Sequence, residues 1–310
     1  MSAAGLAVGY GADLLLGDPR RAHPVAAFGN AALAAERVSY APSRVRGAVF
    51  GGSLVAGAAL AAEALARLAR RAGAGRGAAL AAVVWAALGG RSLRREAAAI
   101  AAHLDAGDLD AARRALPALA GRDPEALAAD QIARAVVESV AENTGDAVVA
   151  PLLWGALAGP AGAAAYRAAN TLDAMVGHRS PRYAEFGWAA ARLDDLLGWP
   201  AARAGASLAV ICAPVAGGSC SRAWRTLRRD GAAHPSPNAG RMEAAFAGAL
   251  DLRLGGPLAY AGRTELRPQL GDGGRPTAAD IRRAAGLSRA VGAAALAASV
   301  VFRSIMRRAR

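Results

Sequence analysis

Lysine is absent from this sequence, and all 37 basic residues are arginine. That excludes a phosphate loop of the G-x-x-x-x-G-K-S/T type, whose lysine reaches the phosphates, and no G-x-G-x-x-G follows a strand. Aromatic residues make up only 5% of the chain, so the interleaved basic and aromatic patch of a nucleic-acid surface is missing. A net charge of +13 therefore points to anionic lipid, or to carboxylates and phosphates gripped by the bidentate guanidinium. The two cysteines, Cys212 and Cys220, lie in or beside one apolar run at a spacing that fits no common zinc or redox motif, and read as packing residues. No basic segment precedes the apolar start and Asp13 interrupts it, so the N-terminus reads as a retained membrane-associated helix rather than a cleaved signal. Internal repeats are absent, as is strand-like alternation long enough to build a sheet.

What is abundant is small apolar residues. The chain is 54% hydrophobic with a mean hydropathy of +0.22, against about 45–50% apolar residues in ordinary soluble domains. Uncharged stretches occupy 47–62, 77–90, 147–166, 204–221 and 290–302. A bilayer core asks for about 20 helical residues. Only the third and fourth stretches meet that unaided, and the others must recruit flanking residues whose arginines snorkel to the interface. The expectation is an all-α, multi-pass membrane protein with about five membrane helices, amphipathic connecting helices and a single domain over residues 1–310. Buried helices of a large helical protein are the alternative. Arginine clusters flank both ends of several stretches, so the positive-inside rule fixes no orientation.

Between the stretches, 91–120 carries Leu93, Ile100, Leu104 and Leu116 among charges, predicting an amphipathic helix or a pair broken near Gly107 and Pro117. Thr277 and Asp280 form a capping-box-like start to the last helix. The glycines and prolines of 263–276 read as a loop.

Polar residues gather in four islands. The first runs from Asp13 through Asp18 to His23-Pro24; proline disfavours helical geometry in the residue before it, placing Asp18 and His23 on a turn that closes the first helix. From this island alone a bland turn is the commoner reading. The second runs from Arg134 to Asp146. Spacings of four set Arg134, Glu138 and Glu142 on one helical stripe, with Asp146 about 80° further round. Three acids and Asn143 thus meet at the mouth of the 147–166 run. A solvated, salt-bridged face is the plain alternative, but carboxylates beside lipid are costly unless paired or put to use, and hard oxygen ligands suit Mg²⁺ bound to a nucleotide.

The third island holds Tyr166, Arg167, Asn170, Asp173 and His178, followed by Arg192, Asp194 and Asp195. Asn170 and Asp173 share a helix face, while the Asp-Asp doublet by itself reads as a cap or loop pair. The fourth, His234-Pro-Ser236-Pro-Asn238, is a loop stiffened by two prolines that fixes the directions of its polar groups. If 147–166 is straight, the second and third islands lie on opposite sides of a bilayer. They share one site only if the run bends near Pro151, Gly159 and Pro160.

Taken in order, GDPRRAHPV, VVESVAENTGDAVVAPLLW, YRAANTLDAMVGHRSPRYAEFGWAAARLDD and HPSPNAGRMEAAFAGAL resemble the signature blocks of the CobD/CbiB family of cobalamin biosynthesis proteins. The resemblance reaches from Asp13 to the last apolar segment and rests on the ordered set. It implies a multi-pass enzyme of the cell membrane that converts adenosylcobyric acid to adenosylcobinamide or its phosphate. Such an enzyme links (R)-1-amino-2-propanol, or its O-phosphate, to the corrin f-propionate by ATP-dependent amide formation with Mg²⁺.

On this resemblance Glu138, Glu142, Asp146 and Asp173 are the expected Mg²⁺ ligands, and Glu142, Asp194, Asp195 and His234 the catalytic groups. His234 or His23 would relieve the attacking amine of its proton. Asp18, His23, Asn143, Arg167, Asn170, Arg192, Ser236 and Asn238 are expected to bind substrate, with Arg167 and Arg192 neutralising phosphate. The expected partners are the lipid bilayer and other membrane-associated cobalamin assembly enzymes. Three positions depart from the family pattern: Gly145, where a larger residue is more usual, His178, where an aromatic is usual, and Arg241-Met242, where Trp-Pro is common. The rival readings are a non-enzymatic membrane sensor or scaffold like the AmpE group, which should lose the acidic islands, and a transporter, which should show more spans and an inverted repeat.

Overall fold

A computed structural model of the chain describes residues 3–18, 23–121, 124–125, 127–178, 180–260 and 263–308. Residues 19–22 of the first island lie outside them. The described residues are helical apart from one two-stranded hairpin and connecting turns, and they form two compact units, each built from separated stretches of chain. The fold is the expected all-α class.

The first unit gathers Met1–Gly89, Asp146–Ala201 and Ala295–Arg310. Helix α1 (Ala3–Leu16) packs on α4 (Gly75–Ala87). Gly5 and Gly9 allow the approach, because a Cβ on either would lie 2.6 Å from the Gly77 carbonyl or 2.7 Å from that of Ala81. Small residues one helical turn apart are what close helix pairing in lipid uses. Helix α2 (Pro24–Ser39) starts at His23, whose Nδ1 accepts from Val25 N–H at 3.1 Å. Helix α3 (Arg44–Arg71) leaves Val45, Val49, Leu60, Leu65 and Leu68 exposed, an apolar face suited to lipid. Beside its first turns Phe186 is fully buried, its ring 5.0 Å from Phe50 and 5.3 Å from Tyr40.

Helix α8 (Ala150–Leu172) is broken at Gly159, where φ is 71° and ψ −151°, immediately before Pro160. Glycine takes that conformation without a Cβ clash, and proline has no N–H to continue the ladder. The break reverses the chain. A straight helix would carry residue 166 about 30 Å from residue 146, yet Tyr166 Oη donates to Asp146 Oδ1 at 3.3 Å. The longest apolar run is thus a helical hairpin, not the straight span that its length alone suggests. Gly159 and Pro160 are both buried, which is where broken backbone is tolerated at membrane depth.

Four helical stretches are long and apolar enough to cross a membrane: Arg44–Arg71, Ala129–Gly177, Trp188–Ala216 and Ala278–Met306. Helix α1 is apolar but shorter. The 77–90 stretch, counted as a span from sequence, forms α4 of 13 residues. That is about 20 Å of helix, short of a core of about 30 Å.

The second unit gathers Gly90–Gly145 and Ala202–Ala294. Helix α5 (Gly90–Asp105) buries Leu93 and Ile100, Gly107 turns the chain with φ 71°, and α6 (Leu109–Ala115) runs into a tighter turn at Leu116–Ala118 that contains Pro117. This is the broken pair expected. Helix α7 (Ala129–Thr144) and helix α11 (Ala239–Leu250) carry the buried centre, with α10 (Cys220–Asp230) laid against α11. Helix α9 (Trp188–Cys212) and helix α12 (Ala278–Arg308) each contribute to both units. At the start of α12, Asp280 Oδ2 accepts from Thr277 N–H at 2.9 Å, the bond the capping pattern predicts, and also from the Thr277 hydroxyl at 2.7 Å.

One local expectation is overturned. Strand β1 (Leu254–Tyr260) pairs antiparallel with β2 (Arg263–Leu270), so part of the 263–276 segment read as loop is a strand. The signal was hidden because Gly255 and Gly256, at φ 78° and 87°, form an irregularity between Leu254 and Gly256 that spoils the two-residue period. Buried Leu254 and Leu270 close the pair at its base. Further on, Arg229 bonds to Asp230 and holds that carboxyl below the usual carboxylate range, while Asp230 Oδ2 accepts from Gly271 N–H at 2.8 Å.

In the same unit the hydroxyls of Thr144 and Ser288 share a fully buried hydrogen bond of 2.7 Å, and Thr144 also donates to Val140 O. Thr144→Val keeps the shape and removes the hydroxyl, so it should destabilise the protein by about 1–2 kcal/mol in detergent unfolding measurements.

Candidate functional site

In the first unit, folding α8 back at Gly159 brings parts of two islands together. Arg167 Nη1 donates to Asn170 Oδ1 at 3.2 Å, and Asn170 Nδ2 donates to Asp194 Oδ1 at 3.2 Å. Tyr166 reaches Asp146 from the neighbouring position. The carboxylates whose charge acts on Arg167 are Asp146, Asp18 and Asp194, and its Nε is buried with no hydrogen-bond partner. Asp194 and Asp195 sit well inside α9, not at its end, so the doublet is not a cap.

Carboxylates outnumber the guanidinium here. The surplus negative charge repels a bare phosphate and favours an ammonium group or a metal-bound phosphate. On one side Arg167 and Thr171 border a cavity of about 330 Å³ whose other walls, among them Val25, Phe28, Leu65 and Val83, are apolar. One end of the site is thus charged and the adjoining space greasy.

The remaining first-unit residues are arranged more loosely. Asp173 opens a wide turn, Asp173–Gly177, in which its Oδ1 folds so close over Gly177 that a Cβ there would meet it at 1.9 Å. Its own backbone still continues α8, with φ −58° and ψ −49° and its N–H bonded to Ala169 O, so it keeps the three-residue spacing from Asn170. Asp195 and His178 are the charges that act on it. Arg192 is 64% exposed and lies 3.6 Å from Asp195. Asp18 and His23 stand 3.8 Å apart, with His23 also serving as the cap of α2.

The second unit holds another polar group. Glu138 is buried and accepts from Gly255 N–H at 2.7 Å, with Arg134 Nε 3.9 Å away. Arg134 in turn donates to the carbonyls of Gly255 and Pro257. Glu142, one turn further along the stripe, is exposed. Asn143 Nδ2 donates to Ser139 O at 2.9 Å.

The proline-stiffened loop is present between α10 and α11, as expected. Its Ser236 Oγ accepts from the N–H groups of Asn238 and Ala239 at 3.3 and 3.1 Å, and its Asn238 Oδ1 accepts from Arg203 Nη1 at 3.2 Å. His234 is buried, with Nδ1 facing Ser236 and Nε2 2.6 Å from Arg267 Nη1 and 3.8 Å from Glu243 Oε1.

Tyr166, Arg203, Glu243 and Arg267 belong to these groups and were not singled out as site residues from sequence. Glu243 gave a signal, as a lone acid among Ala, Gly and Met in α11. Arg267 gave none, lying in the segment read as loop. Two departures from the family pattern meet each other: a Cβ on Gly145 would come 3.1 Å from Met242 Cγ, so the long methionine fills the space that a larger residue at 145 would take. At the third, His178 packs edge-on against Tyr183 with ring centres 5.0 Å apart.

The expected Mg²⁺ ligands divide, with Glu138 and Glu142 in the second unit and Asp146 and Asp173 in the first. Among the described residues no three His, Cys, Asp or Glu side chains are grouped to hold a metal ion. Mg²⁺ carried by a nucleotide needs only one or two carboxylates, its remaining ligands being phosphate and water. The acid-rich surroundings of Arg167 fit that limited role.

The family model described as CobD/Cbib protein matches residues 6–288. A relative from Mycobacterium tuberculosis named cobalamin biosynthesis protein CobD is 55% identical over 303 residues, 97% of this chain and 96% of its own. Proteins of the same name from Geobacter metallireducens and Pelobacter propionicus are 43% and 42% identical, over 85% and 84% of this chain and 85% and 82% of theirs. No solved structure matches. With the family model covering most of the sequence and a relative aligned almost end to end, the chain belongs to the CobD/CbiB family.

Proposed function

We propose that this protein acts in cobalamin biosynthesis as an amide-forming enzyme of the cell membrane. It joins (R)-1-amino-2-propanol or its O-phosphate to the f-propionate of adenosylcobyric acid. The observation that carries the reading is the helical hairpin, which sets Asp146 beside Tyr166 and the Arg167, Asn170 and Asp194 chain. A carboxylate and an amine do not condense at neutral pH without activation. ATP supplies it: the carboxylate oxygen takes the γ-phosphoryl group and ADP departs, then the amine attacks the acyl carbon, phosphate leaves and the nitrogen loses a proton.

In this scheme Asp146 and Asp194 bind the ammonium of the arm or the magnesium of the nucleotide, since they stand in negative surplus around Arg167. Magnesium would supply charge neutralisation at the phosphates. Arg167, oriented by Asn170, faces the carboxylate or the phosphoryl oxygens, and the neighbouring apolar cavity keeps water from the activated acyl group.

The test is to incubate purified protein with adenosylcobyric acid, ATP, Mg²⁺ and aminopropanol O-phosphate and look for adenosylcobinamide phosphate by mass. ATP-dependent product is expected. ATP-dependent product no greater than that of a reaction without the protein would overturn the assignment.

A further inference from the structure

Away from the Arg167 site, the second unit contains a polar cavity of about 310 Å³. It lies where the first turn of α7 meets the start of β1 and the loop before α12, and its charged walls are Asp130, Arg134, Arg253 and Arg275. Arg275 Nη1 lies 3.2 Å from Asp130 and Arg134 leans on Glu138. The Arg253 side chain makes no hydrogen bond or ion pair among the described residues, while its backbone N–H is fixed to Gly274 O at 2.9 Å. Three guanidinium groups thus face two carboxylates, leaving one unit of positive charge in the pocket.

The backbone adds to that charge. Helix α7 begins at this wall with Ala128 as its cap residue, and the Gln131 side chain accepts only the Ala128 N–H, at 2.8 Å. The N–H groups of the following turn carry the positive end of a 16-residue helix. Arg134 is held in place by the carbonyls of Gly255 and Pro257, and Gly256 at φ 87° leaves it room, since a Cβ there would lie 3.0 Å from Arg134 Nη1. Gln131 and Gln269 on the rim can supply amide donors.

We propose that this pocket is a binding site for the phosphate group of a small molecule, with Arg253 as its uncommitted cation and Arg275 turning from Asp130 to join it. Guanidinium forks and a helix start are the donor set that phosphate oxygens take. The volume admits a phosphomonoester or the phosphates of a nucleotide. The site does not depend on the amide-forming reading and would survive its failure.

The experiment is calorimetric titration of the purified full-length protein, in a maltoside detergent free of phospholipid, with inorganic phosphate, pyrophosphate and ATP in separate arms. Saturable binding that the pocket variants weaken is expected in at least one arm, and the arm they weaken most identifies the source of the phosphate. Arg253→Ala and Arg275→Ala should each weaken it about tenfold, the loss of one charged hydrogen-bonding partner. Arg225→Ala, on exposed α10 outside this pocket, should leave it unchanged. No saturable binding in any arm, or wild-type affinity in both pocket variants, would overturn the site. Wild-type melting curves for the two variants would establish that any loss is not one of folding.

Discussion

Asp194→Ala should lower the rate of amide formation at least a hundredfold while the protein still reaches the membrane in normal amount. Asp194 is the terminal acceptor of the chain that runs from Arg167 through Asn170, and it stands inside α9, where a shortened side chain leaves the helix intact. Its loss releases the Asn170 amide, lets Arg167 swing, and removes one of the carboxylates that make the site negative. Preorganised charge of this kind contributes about a hundredfold or more per group. Asp194→Asn separates the two effects, because it keeps a carbonyl for Asn170 and removes the charge. If charge is what matters, the Asn variant should be nearly as slow as the Ala variant and should need more Mg²⁺ for half-maximal rate. Asp195→Ala should cost less, since Asp195 pairs with an exposed arginine. Near-normal rates in both Asp194 variants would reduce that carboxylate to a packing role.

The helices were legible where charge gaps marked them, and so were the breaks at Gly107 and Pro117 and the start of α12 at Thr277. The hairpin in α8 was legible as a condition: Gly159-Pro160 was one of the places where the run could bend, but periodicity cannot give the angle. Only the contact between Asp146 and Tyr166 does that, and it joins residues twenty positions apart. The β-hairpin escaped because glycines broke its alternation. The pairing of buried His234 with Glu243 and Arg267 escaped because it links a loop, a helix and a strand through tertiary contacts alone. What the ordered blocks conveyed was family, and with it the set of polar residues. How those residues divide between two units depends on packing that no single block encodes.

That division leads to a different expectation for Glu138 than its carboxylate alone suggests. Its side chain is 5% exposed and that of Arg134 is 14% exposed, and together they tie α7 to the bulged start of β1 through the N–H and carbonyl of Gly255. Glu138→Ala removes a negative charge beside half-buried Arg134 and takes the carboxylate acceptor from Gly255 N–H, and losing a hydrogen bond to a charged group costs about 1.5–3 kcal/mol. Urea or thermal unfolding of the full-length protein in detergent should register a loss of that order. Glu138→Gln retains an oxygen for Gly255 N–H and should lose less. Wild-type stability in the Ala variant would mean that the pair contributes nothing. The Mg²⁺ dependence of turnover then separates scaffold from ligand: Oε1 both accepts from Gly255 N–H and lies nearest Arg134, and for a carboxylate held as scaffold in this way the Gln variant should reach half-maximal rate at the wild-type Mg²⁺ concentration. A marked rise in that concentration, with stability preserved, would restore Glu138 to the metal-binding role its position in the sequence suggested.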